Sequence, residues 1–252
     1  MTFSSYIAIG DSFTEGYGDD LPDGTPRGWA DLVALGLALA SAPATVRYAN
    51  LAIRGKKLAP IVGEQLDAAI TQHPALISMN GGGNDLMRPR VSIGSIADQL
   101  ENAARRAIAA GSHVLLASGG NPSRHVPMGG VLQRRGDELA DEVHRRLPID
   151  GATYVNNWGD AELGDLRYWS RDKLHLNTLG HARVAGNVLA ALEVPIPEFG
   201  AGELVGARPR TSAYWREYVL PWIGRRLTGR SSGDARLPKI ATLQPVVLAG
   251  RD

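Results

Sequence analysis

Ile9-Gly10-Asp11-Ser12-Phe13-Thr14-Glu15-Gly16 directly follows the short apolar run at positions 6–9. An apolar strand that ends in Gly-Asp-Ser places a serine at the carboxyl tip of that strand, where the chain must turn sharply. In open α/β sheets this is the edge at which ligands and catalytic groups lie. Gly-Asp-Ser by itself is common in turns, so the weight of this serine depends on residues much further along the chain.

The rest of the chain alternates short apolar runs with longer amphipathic ones. The predicted strands are 6–9, 45–50, 75–79, 113–117 and 153–156. The predicted helices are 29–40, 60–72, 96–110, 131–147 and 178–192, with Ser92 or Ser95 placed to cap the third. This alternation predicts an α/β fold whose five-stranded parallel sheet is covered by helices on both faces.

Composition narrows the classes of protein that need to be considered. The 252 residues include no cysteine, which excludes disulfides, thiolate metal sites and a cysteine nucleophile. A net charge of +1 gives no global electrostatic reason to expect a nucleic-acid partner. The amino terminus lacks a signal-peptide pattern and no apolar run is long enough to span a bilayer, so we expect a cytoplasmic protein.

Three further loops collect the polar and glycine residues that carry chemistry. Asn50 and Gly55 follow the second predicted strand, and Gly82-Gly83-Asn84-Asp85 follows the third. In a doubly wound sheet these loops open on the same edge as Ser12. Asp172-Lys173-Leu174-His175 comes just before the last predicted helix.

These residue types together match nucleophilic catalysis by a serine. A hydroxyl is a poor nucleophile until a base takes its proton, and a histidine held by a carboxylate is the usual base. The three-residue spacing of Asp172 and His175 lets the carboxylate lie beside the imidazole. The developing oxyanion needs donors, for which the Ser12 and Gly55 amides and the Asn84 side chain are candidates. Asp11 and Asp85 are interpreted as hydrogen-bonding groups that support the turns.

The ordered set of blocks resembles the SGNH hydrolases, also called the GDSL esterase/lipase family. The blocks are Gly10-Asp11-Ser12-Phe13-Thr14-Glu15-Gly16, Asn50 with Gly55, Gly82-Gly83-Asn84-Asp85 and Asp172-Lys173-Leu174-His175. The resemblance covers roughly residues 5–193 and implies a flavodoxin-like three-layer α/β/α sandwich. One departure is Leu176, where many relatives have proline after the histidine, and this affects only local loop geometry.

For the site, the resemblance implies a Ser12–His175–Asp172 triad with an oxyanion hole formed by Ser12, Gly55 and Asn84. It implies hydrolysis of a small-molecule carboxylic ester through an acyl-enzyme, without a metal or organic cofactor. The substrate stays open among a short acyl ester, an acetylated sugar and a lysophospholipid. Acyl length, the natural alcohol and the oligomeric state are not predicted.

The segment after Pro195 departs from the rest of the chain. It carries nine Lys/Arg against five Asp/Glu, whereas residues 1–195 are slightly acidic. We therefore predict a hydrolase domain at 1–195 and an extension at 196–252. Aromatic residues recur on one side of a predicted helix at 212–227, which Pro221 would kink. Four roles stay open for this helix: it packs on the enzyme body, covers the site as a lid, binds a lipid surface or forms a dimer contact. Residues 231–252 are predicted to be extended, with 243–248 docked on the protein.

Two alternatives belong to other functional classes. A non-catalytic module that binds esters or glycans would keep the fold without the chemistry. A phosphate-binding module would use the glycine-rich loops, but neither Gly-x-x-x-x-Gly-Lys-Ser/Thr nor a Gly-x-Gly-x-x-Gly fingerprint after the first strand is present. A metal-dependent hydrolase is disfavoured because Asp172 and His175 lack further ligands nearby in sequence. The α/β-hydrolase fold is also disfavoured, because Gly-x-Ser-x-Gly occurs only at 229–233, where no predicted strand precedes it as the nucleophile elbow requires.

Overall fold

The computed structural model of the protein describes residues 1–86, 88, 90–200, 211–220, 233 and 235–248. Within that part of the chain, six strands form one sheet in the order β5-β4-β3-β1-β2-β6. The strands are β1 Ser5–Ile9, β2 Arg47–Asn50, β3 Leu76–Met79, β4 His113–Ala117, β5 Ala152–Val155 and β6 Ile240–Pro245. The first five pair in parallel, and their order is the flavodoxin-like one.

Helices cover both faces of this sheet. They are α1 Ser12–Glu15, α2 Trp29–Ser41, α3 Leu58–Pro60, α4 Leu66–Ile70, α5 Gly83–Leu86, α6 Ile93–Ala109, α7 Gly129–Arg146, α8 Thr178–Ala191 and α9 Thr211–Tyr214. The five predicted helices are confirmed to within a few residues, although 60–72 is divided by a π-helical turn, Ile61–Gln65. The cap of α6 is Ser92, whose hydroxyl accepts a hydrogen bond from the Ser95 amide.

The three-layer sandwich is confirmed, and its two cores follow from the alternation of side chains along the strands. Tyr6 and Ala8 of β1 face the layer formed by α2 and α8, whereas Ile7 and Ile9 face α6 and α7. All five residues of β1 are buried, as expected for a central parallel strand. The carboxyl ends of β1 and β3 therefore open between two well-packed layers.

The prediction of a five-stranded, wholly parallel sheet is wrong in one respect. The sixth strand, β6, comes from the carboxyl-terminal extension and pairs antiparallel with β2 at the edge of the sheet. Lys239, just before β6, is largely buried and donates to the backbone oxygens of Glu15, Pro26 and Arg27 and to the Asp31 carboxylate. The pairing with β2 and the contacts of Lys239 hold this strand in place. Residues 243–248 were predicted to dock on the protein, and the docked segment in fact begins at Ile240.

Other expectations for the extension are tested only in part. The predicted helix 212–227 corresponds to α9 followed by a π-helical turn, Trp215–Val219, and its second half, including Pro221, lies outside the described residues. The boundary at Pro195 stays a prediction. No helix in the described ranges is both long and apolar enough to cross a membrane.

Candidate active site

Ser12 lies where the sequence predicts it, at the turn between β1 and α1. Asp11 caps α1 by accepting a hydrogen bond from the Phe13 amide at 3.1 Å. Gly10 is required at this turn because a Cβ there would lie 2.5 Å from the Thr14 hydroxyl oxygen. As the first residue of a helix, Ser12 presents an amide that has no intrahelical partner.

Gln65 supports this turn in a way that sequence reasoning missed. Its side-chain oxygen accepts from the Gly10 amide at 2.8 Å, and its side-chain nitrogen donates to the Gly10 carbonyl at 3.0 Å. Gln65 ends the π-helical turn, an insertion that is frequent at functional sites. The backbone N–H and C=O of Gly10 are thereby both fixed by one buried side chain.

The structure brings Asp172, His175 and Ser12 into one hydrogen-bonded series. The His175 Nδ1–H donates to Asp172 Oδ2 at 2.6 Å, and His175 Nε2 lies 3.1 Å from Ser12 Oγ. The carboxylate fixes the tautomer of the neutral imidazole, so Nε2 is unprotonated and can accept a hydrogen bond from the Ser12 hydroxyl. Although 163 residues separate Ser12 and His175 in sequence, the contact between them is direct.

The loop before α8 holds the Asp172 carboxylate from several sides. Oδ1 accepts from the Leu174 amide at 2.9 Å, the His175 amide at 3.0 Å and the Ser170 hydroxyl at 2.7 Å. Burial by itself raises the pKa of Asp172, but the His175 imidazole and these hydrogen bonds outweigh it and hold the pKa well below its usual range. The group is therefore ionised at neutral and mildly acidic pH.

Asn84 and Asp11 meet at the same opening. The Asn84 side-chain amide donates to Asp11 Oδ2 at 3.1 Å and to the Lys56 carbonyl at 2.9 Å. Burial raises the pKa of Asp11 to about 6, against the opposing effect of the Phe13 amide. The second predicted support, Asp85, accepts from the Leu58 amide at 2.9 Å. Both aspartates thus act as the hydrogen-bonding groups that the sequence suggested.

The loop that carries Gly55 is tied to α1 by a buried ion pair. The Glu15 carboxylate accepts from the Arg54 amide at 2.6 Å and from its guanidinium at 2.6–3.0 Å. Gly55 itself has φ +74°, a conformation that favours glycine. Asn50 adds a second tie, because its amide donates to the Thr14 carbonyl. The prediction that Ser12, Gly55 and Asn84 form an oxyanion hole is compatible with this arrangement and stays a prediction.

Two tyrosines that were not predicted as site residues contact the loop that carries Asp172 and His175. The Tyr17 ring meets the His175 ring edge to face, with the ring centroids 4.6 Å apart. The Arg54 guanidinium lies over the same Tyr17 ring, 4.4 Å from its centroid. Tyr214, in α9 of the extension, donates from its hydroxyl to the Asp172 carbonyl at 3.1 Å. The extension therefore touches the loop that carries Asp172 and His175.

His181 is a buried histidine behind the site. Its Nδ1 accepts from the Trp29 amide at 3.2 Å, and Asp19 lies nearby, held by Arg27 and the Thr178 hydroxyl. Burial lowers the pKa of His181 to about 4, although the charge of Asp19 opposes the shift. His181 is therefore neutral in the folded protein at physiological pH.

We expect this histidine to make the protein less stable in acid. The unfolded chain binds a proton at His181 below its ordinary pKa of 6.5, whereas the folded protein binds it only near 4. Its stabilising contribution is complete above pH 6.5 and is lost as the pH falls to 4, by roughly 2–3 kcal/mol. Asp11 acts oppositely in the same range, because its raised pKa adds stability as the pH falls.

The comparison of wild type with His181→Asn isolates the histidine. Asparagine keeps an acceptor toward the Trp29 amide but does not titrate, so Asp11 contributes equally to both proteins. Urea unfolding at pH 7.5, 6.5, 5 and 4 should give a steeper loss of stability for wild type. Parallel curves for the two proteins would contradict the assignment.

Among the described residues, no group of three or more His, Asp or Glu side chains is placed to hold a metal ion.

The sequence and the fold were each compared with those of known proteins. The sequence model of the GDSL-like Lipase/Acylhydrolase family matches residues 8–183, well over half of the chain. A search of curated protein sequences gave no significant match. Solved structures with a similar fold include TesA, with 24% identity and a TM-score of 0.60 over 75% of this chain and 98% of TesA.

Two further structures share the fold at lower identity. The acetylxylan esterase Axe2 from Geobacillus stearothermophilus has 17% identity and a TM-score of 0.61, over 79% of this chain and 98% of Axe2. The lipase Lip_vut3 from a goat rumen metagenome has 16% identity and a TM-score of 0.61, over 74% and 96%. At these identities the likeness concerns the fold alone.

Proposed function

Because the chain belongs to the GDSL-like lipase/acylhydrolase family and is a carboxylic ester hydrolase, we propose that Ser12, His175 and Asp172 carry its reaction. Ser12 Oγ attacks the ester carbonyl carbon while His175 Nε2 takes the hydroxyl proton. Asp172 keeps the imidazole in the productive tautomer and stabilises the imidazolium that forms. The observation that carries this proposal is the continuous series from Asp172 Oδ2 through His175 to Ser12 Oγ, at 2.6 and 3.1 Å.

The attack produces a tetrahedral oxyanion, which Ser12 N–H, Gly55 N–H and the Asn84 side chain stabilise. When the carbonyl oxygen binds, it replaces the Asp11 carboxylate or the Lys56 carbonyl as acceptor of one Asn84 proton. His175 then gives its proton to the leaving alcohol, and an acyl-enzyme on Ser12 remains. Water, deprotonated by His175, attacks this acyl group and releases the carboxylic acid with Ser12 restored.

A fluorophosphonate probe tests the proposed nucleophile directly. We expect it to label one serine, which peptide mass mapping assigns to Ser12, with hydrolysis of p-nitrophenyl butyrate falling in proportion to the labelled fraction. Unlabelled protein that does not hydrolyse esters would favour a non-catalytic binding module. Ester hydrolysis that survives complete labelling, or a label on another residue, would contradict the role of Ser12.

Asn84→Ala tests the proposed oxyanion hole. Removal of one oxyanion donor typically lowers kcat by about 10²–10³-fold, and we expect a loss in this range with a small change in KM. Asn102→Ala, an exposed asparagine on α6, is the matched control. A loss of less than threefold in Asn84→Ala would remove this side chain from the mechanism.

A further inference from the structure

An apolar cavity of about 190 Å³ begins at Ser12 and His175 and continues into the protein. Its deeper walls include Leu100 of α6, Leu116 of β4 and Val143 of α7. These residues belong to the core between the sheet and the α6–α7 layer. The cavity therefore leads away from the face covered by α2 and α8, where the loop of His175 joins α8.

One face of α7 keeps this space open. Leu132, Gly136, Ala140 and Val143 line the cavity at helical spacing, and two of them are small. At Gly136 the Trp158 ring takes the place of a side chain, since a Cβ there would lie 2.0 Å from that ring. Asp137 fixes the indole by accepting from its Nε1 at 2.7 Å. Ala140 fills little of the remaining volume, so a larger side chain at this position would shorten the cavity.

The chemistry of the walls suits hydrocarbon. Among the described residues that line the cavity, the acidic and imidazole groups are Asp11 and His175, both at the mouth. Tyr154 contributes a hydroxyl, which interacts with Ser118 near the mouth. An apolar space of this kind stays dry and is filled favourably by an apolar group.

Size and shape restrict that group further. Leu132 and Val143 lie three turns apart on α7, which is about 16 Å at 1.5 Å per residue, so the cavity is elongated. An engineered apolar cavity of about 150 Å³ accommodates the six carbons of benzene. The volume found here therefore fits a linear chain of about six to eight carbons.

The position of the cavity relative to His175 indicates that it receives the acyl part of the ester rather than the alcohol. The general acid must reach the leaving oxygen, so the alcohol departs on the side of His175. The acyl chain then points away from His175, into the space beneath Asn84 and between α6, α7 and the sheet. Building on the proposed function, we propose that this cavity binds the acyl chain of a linear medium-chain ester, with Ala140 and Val143 as the residues that determine chain length.

The test is kcat/KM for p-nitrophenyl esters of acetate, butyrate, hexanoate, octanoate, decanoate and palmitate. We expect a rise of up to about fourfold per methylene to octanoate, the factor that corresponds to about 0.8 kcal/mol per buried CH₂, and a fall by palmitate. Ala140→Phe should lower the octanoate-to-acetate ratio at least tenfold. Val143→Ala should move the preferred chain length upward by one or two carbons.

The control for added bulk is Ala109→Phe on the exposed face of α6, which should keep the wild-type profile. If Ala140→Phe does not fold, as judged by thermal melting, Val143→Ala decides. Serine-dependent hydrolysis with a flat chain-length profile would overturn this proposal and leave the proposed function standing. A profile that is unchanged in both Ala140→Phe and Val143→Ala would also overturn it. Absence of both fluorophosphonate labelling and ester hydrolysis would overturn the two together.

Discussion

Replacing either Ser12 or His175 by alanine is expected to lower kcat for p-nitrophenyl butyrate by about 10⁵–10⁶-fold, and replacing both should cost no more than replacing one. The two groups act as a unit, because the imidazole is useful only when it removes the proton of the attacking hydroxyl. The 3.1 Å contact between His175 Nε2 and Ser12 Oγ makes this dependence mutual. The residual rate in all three variants comes from binding and the oxyanion donors.

The measurement is kcat for the two single variants and the double variant, with the folded state of each verified by thermal melting. Ser95→Ala and His73→Asn, at exposed positions, control for the loss of a serine and a histidine elsewhere. Losses that multiply in the double variant would mean that the residues act independently. Wild-type activity in Ser12→Ala would remove the serine from the reaction.

The parallel strands and the long helices could be predicted because each is encoded by a pattern within its own stretch of sequence. Each central strand is a short apolar run that ends in a polar or glycine-rich loop, and each long helix has apolar residues at helical spacing. The order of the strands then follows from the family resemblance, and the predicted edge loops meet at β1 and β3. Ser12, Asn84 and His175 lie together because the topology brings these loops to one edge.

The sixth strand could not be predicted in this way. The partner of β6 is β2, about two hundred residues earlier in the chain, and no local pattern encodes that pairing. The contact that secures it, Lys239 with three backbone oxygens and Asp31, depends on loops brought together only in the folded protein. The sequence showed only that 243–248 is apolar enough to dock.

The supporting residues of the site were missed for a similar reason. In the sequence, Gln65 is indistinguishable from any polar residue on an amphipathic helix. In the structure, the π-helical turn directs its side-chain amide to the backbone N–H and C=O of Gly10. Tyr214 reads as part of an aromatic helix face, yet its hydroxyl meets the Asp172 loop. The cavity beneath Ser12 depends on how the Trp158 ring fills the space at Gly136, which is a matter of packing rather than of motif.

Asp172→Asn is expected to lower kcat by about 10⁴-fold while the fold and the loop stay intact. The asparagine oxygen can still accept from the Leu174 and His175 amides and the Ser170 hydroxyl, which now meet Oδ1 of Asp172. Its NH₂ group then faces His175 Nδ1 in place of the carboxylate oxygen that lies 2.6 Å away. A donor at this position forces the imidazole to carry its proton on Nε2, where it cannot accept the proton of Ser12.

The matched control is Asp165→Asn, an exposed aspartate whose carboxylate likewise accepts from a backbone amide two residues on. Single-turnover release of p-nitrophenol reports acylation for wild type and both variants, and thermal melting reports folding. Because the pKa of Asp172 is held well below its usual range, we expect no titration of this group in the wild-type rate between pH 5 and 9. A rate within tenfold of wild type in Asp172→Asn would mean that the carboxylate does not set the tautomer, and that the loop hydrogen bonds to Oδ1 suffice to orient His175.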